Sequence, residues 1–171
     1  MTETKWLNNT YIPTITEYIQ ISTLTSGYPF HMTSSYIGIG DIAIEDIFKW
    51  VTSKPKIVIA STIVCRFMDD IVSSEFEQER EHIVPLLECY MREYDISKEE
   101  AIQELQKGVT EAWKNINEEC LKPIKVPVMV LMRIVNMARF IDVMYKDEDC
   151  YTHAKEKMKE CIKLCLSIRC Q

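Results

Sequence analysis

The sequence lacks the features that mark membrane, secreted and nucleic-acid-binding proteins. Its 171 residues contain no apolar run near the roughly 18 residues that a membrane-spanning helix requires. The N-terminus has no basic stretch followed by an apolar one, as a secretory signal would. Acidic residues outnumber basic ones by 26 to 20, and the resulting net charge of −6 disfavours nucleic acid as a partner. These absences predict a cytoplasmic protein with no membrane span and no nucleic-acid partner.

Glycine is scarce, and the cysteines form no recognisable pairs. The four glycines, together with 47% hydrophobic residues, indicate a compact helical chain without a disordered segment. The seven cysteines are odd in number and include no Cys-x-x-Cys pair, so we expect reduced thiols that pack in the interior. The length predicts one domain, residues 1–171, with a sizeable core.

Helix start signals recur along the chain. Two are capping boxes, in which a Ser or Thr is followed three residues later by Glu: Thr14 with Glu17, and Ser97 with Glu100. A third signal is Ser53, two residues before Pro55. With the apolar periodicity, these signals predict an all-α chain with helices at about 14–25, 41–51, 53 onward, 97–119, 128–145 and 151–170.

The helix that follows Ser53 carries charged and hydroxyl side chains on one stripe. Arg66, Asp69, Ser73 and Glu77 follow one another at spacings of three, four and four residues. At 3.6 residues per turn, these spacings place the four side chains on one face. Carboxylate and hydroxyl oxygens are hard donors that suit Mg2+ or Mn2+, and magnesium leaves coordination positions open for phosphate oxygens.

An acidic stripe on a helix is more often a solvated face than a metal site. The segment before this stripe, Ile57-Val58-Ile59-Ala60, is strongly apolar, which indicates that the helix is largely buried. Carboxylates on a buried helix need partners. Asp69, Ser73 and Glu77 are therefore candidate metal ligands, with a solvated face as the alternative.

The acidic stripe has the form (N/D)D(L/I/V)x(S/T)xxxE. This form resembles the second metal-binding motif of class I terpene synthases, and the residues that match it are Asp69, Asp70, Ile71, Ser73 and Glu77. Other segments that resemble plant sesquiterpene synthases are Tyr11-Ile12-Pro13-Thr14 with Glu17-Tyr18, Thr33-Ser34-Ser35-Tyr36-Ile37-Gly38, Ala138-Arg139, and Tyr151-Thr152-His153. The resemblance runs almost from end to end, but it covers only the C-terminal half of that family's catalytic domain.

The resemblance implies a fold, a substrate and a set of site residues. The fold is a partial class I terpenoid synthase helical bundle, and the substrate is a prenyl diphosphate, with farnesyl diphosphate favoured. The cofactor is Mg2+, or alternatively Mn2+, bound by Asp69, Ser73 and Glu77. The implied substrate-binding residues are Arg66, Asp70, Thr33, Ser34 and Tyr36. The implied catalytic residues, on a loop that closes over the cavity, are Tyr145, Asp149 and Tyr151.

One element of the family is missing from this sequence. The first metal motif, DDxxD, does not occur anywhere in the 171 residues. We therefore expect an N-terminally truncated synthase that is inactive alone and that self-associates through the face its missing helices would cover. Two alternatives stay open: a non-catalytic helical interaction module, and a prenyltransferase similar to isoprenyl diphosphate synthases, whose second metal motif is normally Asp-rich.

Overall fold

The computed structural model describes residues 2–78, 86–123, 126–146, 148–152 and 156–168, without the side chains of residues 74–78, 157 and 165–168. These ranges contain helices and no strand, so the predicted all-α class is confirmed. No helix within them is both long enough and apolar enough to cross a membrane. The helices are α1 (Thr2–Asn8), α2 (Ile15–Thr25), α3 (Tyr28–Ser35), α4 (Glu45–Thr52), α5 (Lys56–Gln78), α6 (Leu86–Tyr94), α7 (Lys98–Leu121), α8 (Val128–Tyr145) and α9 (Glu156–Ile168).

Both predicted capping boxes are present. The Thr14 hydroxyl accepts a hydrogen bond from the Glu17 backbone, and the Glu17 carboxylate accepts one from the Thr14 backbone at 2.9 Å. Ser97 and Glu100 exchange the same two bonds at the start of α7. Each box satisfies backbone N–H groups that have no partner within the helix, which fixes where the helix begins.

The predicted start of α5 at Ser53 is wrong. The Ser53 hydroxyl donates to the Trp50 carbonyl at 2.7 Å, so this residue ends α4. Lys54 then takes a positive φ of 56°, which reverses the chain, and the Pro55 carbonyl accepts the first backbone bonds of α5. A serine near a helix boundary can bond to the helix before it as readily as to the helix after it.

Two other predicted boundaries also shift. The helix predicted at 41–51 is a 3-10 turn at Gly40–Ile42 followed by α4, because Ile44 is extended and separates the two. The helix predicted from residue 151 begins at Glu156, because Asp149 accepts backbone N–H bonds from the two residues after Cys150 and closes a turn there.

Helix α5 is the centre of the bundle, packed against α7 and α8. Its residue Val64 belongs to a core cluster with α3, α4 and α8, and its residue Phe67 belongs to a second cluster with α2, α6 and α7. Gly108 of α7 lies so close to α5 that a Cβ at this position would be 2.5 Å from a ring carbon of Phe67. Burial raises the pKa of the Cys65 thiol to about 12, as expected for a packed, protonated thiol.

Helix α8 buries one side against α5 and leaves apolar side chains on the other. We call this side the outer face of α8, and its exposed members are Val128, Met129, Met132, Phe140 and Val143. Several neighbouring apolar residues on one exposed helix face are typical of a contact surface.

Candidate metal and diphosphate site

Three side chains from α2 and α5 form an internal ion cluster, which we call the buried triad: Tyr18, Arg66 and Asp70. Arg66 Nη2 is 2.7 Å from Asp70 Oδ1, and Asp70 is 0% exposed. The Tyr18 hydroxyl donates to the Asp70 carboxylate, with both oxygens at 3.1 Å, and accepts a hydrogen bond from Arg66 Nε at 3.1 Å. Tyr18 is also hydrogen-bonded to Arg66 Nη2. A buried carboxylate and a partly buried guanidinium thus satisfy each other through short, charge-assisted contacts.

The protonation states of the triad follow from its burial. Burial raises the pKa of Tyr18, and the negative Asp70 raises it further, so the phenol stays neutral. Burial opposes the charge on Arg66, but the attraction of Asp70 outweighs it and raises the pKa of the guanidinium. The triad therefore contains one cation, one anion and a neutral phenol between them.

A second group lies where α5 meets the end of α8 and the loop after it, and we call it the acidic edge: Asp69, Ser73, Tyr145 and Asp149. Asp69 is 25% exposed and its Oδ2 is 3.2 Å from Arg66 Nη1. The Tyr145 hydroxyl, at the end of α8, donates to the Asp69 carboxylate. Burial raises the pKa of Asp69, and the charge of Asp149 adds to this effect, while Arg66 and Tyr145 oppose it. Two like charges are therefore held close together.

Ser73 lies one helical turn beyond Asp69, and its environment fits a metal ligand. It is 6% exposed, and its Oγ has no hydrogen-bond partner in the part of the chain that the structure describes. A buried hydroxyl without a partner is costly, and a cation bound beside Asp69 would supply one. The third predicted ligand, Glu77, has its backbone in α5 and its side chain outside the described residues. Within those residues no group of three or more His, Cys, Asp or Glu could hold a metal ion.

The end of α8 and the loop after it bring two of the three predicted catalytic residues, Tyr145 and Asp149, to the acidic edge. Asp149 Oδ1 accepts hydrogen bonds from the backbone N–H groups of Tyr151 and Thr152, each at 2.9 Å. The carboxylate thus shapes the turn as well as facing Asp69. Burial and the negative Asp69 raise the pKa of Tyr145, so this phenol remains a hydrogen-bond donor. Tyr151 is 77% exposed and points into solvent.

The predicted substrate contacts on and just after α3 form hydrogen bonds away from the acidic edge. The Thr33 and Ser34 hydroxyls donate to carbonyls of their own helix, at Pro29 and Phe30, both at 2.8 Å. Tyr36 is fully buried in the core, where its hydroxyl donates to the Val130 carbonyl at 3.1 Å. These bonds lie within α3 or reach α8, not the acidic edge.

Sequence reasoning missed Tyr18 as a member of the site. The residue follows the capping-box Glu17 and belongs to a segment that resembles the family. The sequence around it contains no pattern of charged residues that would indicate a binding site. Its partner Arg66 is 48 positions away. A tyrosine on the apolar side of an amphipathic helix is indistinguishable from an ordinary core residue until the helices are packed.

An all-helical bundle whose central helix presents an arginine, paired carboxylates and a hydroxyl is the class I terpenoid synthase architecture, and solved structures agree with it. Limonene synthase with 2-fluorolinalyl diphosphate is similar, with a TM-score of 0.81 and 25% identity over 87% of this chain and 28% of that one. Isoprene synthase from grey poplar, in complex with three Mg2+ ions and dimethylallyl-S-thiolodiphosphate, shares the fold at a TM-score of 0.74, with 24% identity over 84% of this chain and 28% of that one.

Sequence comparison then identifies the family. The model for the terpene synthase family, metal binding domain, matches residues 1–115, and the chain belongs to that family. A probable sesquiterpene synthase from Santalum austrocaledonicum is 50% identical over 160 residues, which cover 94% of this chain and 28% of the relative. The resemblance predicted from the motifs is therefore confirmed, and the chain spans about 28% of the length of this relative.

Proposed function

We propose that this chain provides part of the active site of a metal-dependent terpene synthase that acts on a prenyl diphosphate. The family and the geometry around Asp69 support this proposal. Farnesyl diphosphate is the favoured substrate, because the Santalum relative is named a probable sesquiterpene synthase and sesquiterpenes contain as many carbon atoms as the farnesyl chain. The chemistry is carbon–oxygen cleavage: the diphosphate leaves with the bonding electrons, and the prenyl chain is left as an allylic cation.

The observation that carries the proposal is the Ser73 Oγ, which has no hydrogen-bond partner among the residues that the structure describes and lies one turn from the partly exposed Asp69. With Glu77, these residues would hold Mg2+, and the same hard donors suit Mn2+. Bound Mg2+ neutralises negative charge that develops on a diphosphate leaving group. The raised pKa of Asp69 fits this role, because a nearby cation would stabilise its charged form.

Arg66 and Asp70 have different roles in this proposal. Arg66 Nη1 lies beside Asp69 on the more exposed side, where a guanidinium can donate to diphosphate oxygens. The sequence predicts Asp70 as a substrate contact, yet its carboxylate is buried and paired with Arg66 and Tyr18. We therefore propose that Asp70 contributes to substrate binding through Arg66.

The loop after α8 would exclude water from the reacting cation. Tyr145 connects the end of α8 to Asp69, and Asp149 holds the turn that follows. A loop attached to the metal-binding helix in this way can respond to what binds at Asp69. Roles for Tyr151, and for Thr33, Ser34 and Tyr36 as substrate contacts, stay predictions.

Thermal unfolding with Mg2+ and inorganic pyrophosphate tests the site directly. At a ligand concentration of about 100 times its Kd, stabilisation should reach roughly 2.7 kcal/mol by mass action. Asp69→Ala should abolish the shift, whereas Lys107→Ala, at an exposed ion pair on α7, should leave it intact. A non-catalytic interaction module predicts no shift with any combination of Mg2+ and pyrophosphate.

Turnover is a separate question from binding. Because the sequence contains no DDxxD motif, we expect no volatile product when the purified chain is incubated with farnesyl diphosphate and Mg2+. Gas chromatography would detect such a product, and a product lost in Asp69→Ala would contradict the expectation. Competition with C10, C15 and C20 diphosphates against pyrophosphate would test the preference for farnesyl diphosphate.

Self-association and location complete the proposal. The exposed apolar residues of the outer face of α8 support self-association, which sedimentation velocity at several concentrations would detect. Replacing Met129 and Phe140 by serine should shift the distribution towards monomer. Cytoplasmic location stays a prediction, to be tested with a fluorescent fusion in plant cells.

A further inference from the structure

We propose that Tyr18 is a positioning residue: it orients Arg66 so that Nη1 of the guanidinium is directed to the diphosphate side of the site. The inference rests on the proposed function, because it assigns Tyr18 a task in binding the diphosphate that Arg66 is expected to contact. It concerns a residue on α2, outside the motif on α5.

The hydrogen bonds of Arg66 divide its guanidinium into two edges. The inner edge, Nε and Nη2, is bound to the Tyr18 hydroxyl, and Nη2 also contacts Asp70 at 2.7 Å. The outer nitrogen, Nη1, contacts the partly exposed Asp69 at 3.2 Å. A planar guanidinium fixed along one edge has a fixed orientation at the other, so the inner contacts determine where Nη1 points.

The phenol hydroxyl is suited to this position because it donates and accepts at once. It donates to the carboxylate of Asp70 and accepts from Arg66, so it holds the anion and the cation in a defined relative orientation. Phenylalanine would fill the same space but provide neither bond. Arg66 would then keep its ion pair with Asp70 and regain rotational freedom, which must be lost again when a ligand binds.

A matched control lies on the neighbouring helix α3. Tyr28 is also a buried phenol packed against α5, and its hydroxyl accepts a hydrogen bond at 3.5 Å from Ser61 Oγ, an uncharged partner outside the triad. Tyr28→Phe therefore removes a buried hydroxyl from the same interior without touching Arg66. If Tyr18 matters only for packing and stability, the two variants should behave alike in ligand binding.

The first measurement is calorimetric titration of inorganic pyrophosphate in the presence of Mg2+. We expect Tyr18→Phe to weaken binding about tenfold, as for a lost hydrogen bond to a charged group, and Tyr28→Phe to stay within about twofold of wild type. If the wild-type chain binds pyrophosphate and Tyr18→Phe binds it with the same affinity, the positioning role is overturned and the proposed function is not. No binding by the wild-type chain would overturn the proposed function, and the positioning role with it.

A double-mutant cycle shows whether Tyr18 acts through Arg66. In an Arg66→Lys background the guanidinium edge no longer exists, so adding Tyr18→Phe should weaken pyrophosphate binding by less than about twofold. A full tenfold additional loss would mean that Tyr18 acts independently of Arg66, which contradicts the proposal. A merely structural role would give the same additional loss in both backgrounds.

A measurement without ligand covers the case in which Tyr18→Phe does not fold. In nitrogen-15 correlation spectra of the wild-type chain, one arginine Nε–H signal should exchange slowly with water and should be missing from Arg66→Lys. Absence of such a signal in the folded wild-type chain would overturn the proposal, because the Nε bond to Tyr18 would then not persist in solution.

Discussion

Asp69 and Asp70 are consecutive residues whose carboxylates lie in two different regions. In the buried triad, the fully buried carboxylate of Asp70 is paired with the Arg66 guanidinium and accepts a hydrogen bond from the Tyr18 phenol. At the acidic edge, Asp69 shares a single contact with that cation and faces the like charge of Asp149. Opposite charges are paired in the buried triad, whereas two negative charges lie close together at the acidic edge. We therefore expect the triad to make the fold sensitive to the loss of any one of its members, whereas the acidic edge is an arrangement that a cation would improve.

Removing the anion of the triad should have the largest effect. Asp70→Asn would leave the inner edge of the Arg66 guanidinium facing a neutral amide, while the outer nitrogen keeps its contact with Asp69. We expect a loss of about 3 kcal/mol in the free energy of unfolding. Urea titration followed by circular dichroism would measure it. Glu111→Gln, which breaks the exposed pair with Lys114 on α7, is the control and should cost under about 1 kcal/mol. Equal losses would contradict the distinction between buried and exposed pairs.

The packing behind both regions should have the next largest effect. Gly108→Val would force a side chain into Phe67, which belongs to the same turn of α5 as the triad and the acidic edge. We expect a loss of about 2 kcal/mol, as for overpacking in a core, again measured by urea unfolding. Gly38→Ala is the control, because a Cβ there has no atom within 4 Å and should change stability little. Full tolerance of Gly108→Val would show that α7 can move away from α5.

Ser73→Ala should separate stability from ligand binding at the acidic edge. Because Ser73 Oγ is buried without a hydrogen-bond partner among the described residues, its removal should stabilise the metal-free chain by about 1 kcal/mol. The same variant should lose the stabilisation by Mg2+ and pyrophosphate. Ser61→Ala, at a buried serine that does have a partner in Tyr28, should instead destabilise the chain. Destabilisation in both variants would mean that the Ser73 hydroxyl is satisfied in solution.

The smallest expected effect concerns the charge of Asp69. Its raised pKa means that the folded chain holds this proton over a wider pH range than the unfolded chain does. Without metal, Asp69 therefore lowers stability as the pH rises above the ordinary aspartate pKa. Asp69→Asn should remove this decline and give a slightly higher melting temperature than wild type at neutral pH, but an equal or lower one in acid. Parallel pH profiles for the two proteins would contradict the assignment.

Much of the fold was predictable because its signals are local. Thr14 with Glu17 and Ser97 with Glu100 each lie within one helical turn, and α8 has the bounds predicted from its apolar pattern. Ser53 failed because its hydroxyl can bond to carbonyls before it or to N–H groups after it, and the sequence does not show which is used.

The site was predictable only in part, because several of its contacts join residues that are far apart in the sequence. The spacing of Asp69 and Ser73 on one helix is local, and the structure keeps both on the acidic edge. The direction of Asp70, by contrast, depends on Tyr18, which lies on another helix. Likewise, the hydrogen bond from Tyr36, just after α3, to the Val130 carbonyl depends on the packing of that segment against α8, and its role as a substrate contact stays a prediction. Such outcomes depend on which helices pack together.

The triad also sets an order of events during synthesis. Tyr18 precedes Arg66 by 48 residues and Asp70 by 52. At typical translation rates of about 5 to 20 residues per second, α2 leaves the ribosome roughly 3 to 10 seconds before its partners on α5. During that interval the phenol has no ion pair to join, and bringing the two helices together must close a long loop against chain entropy. The triad therefore cannot form before Arg66 and Asp70 of α5 have been synthesised, and until then Tyr18 is without its two charged partners.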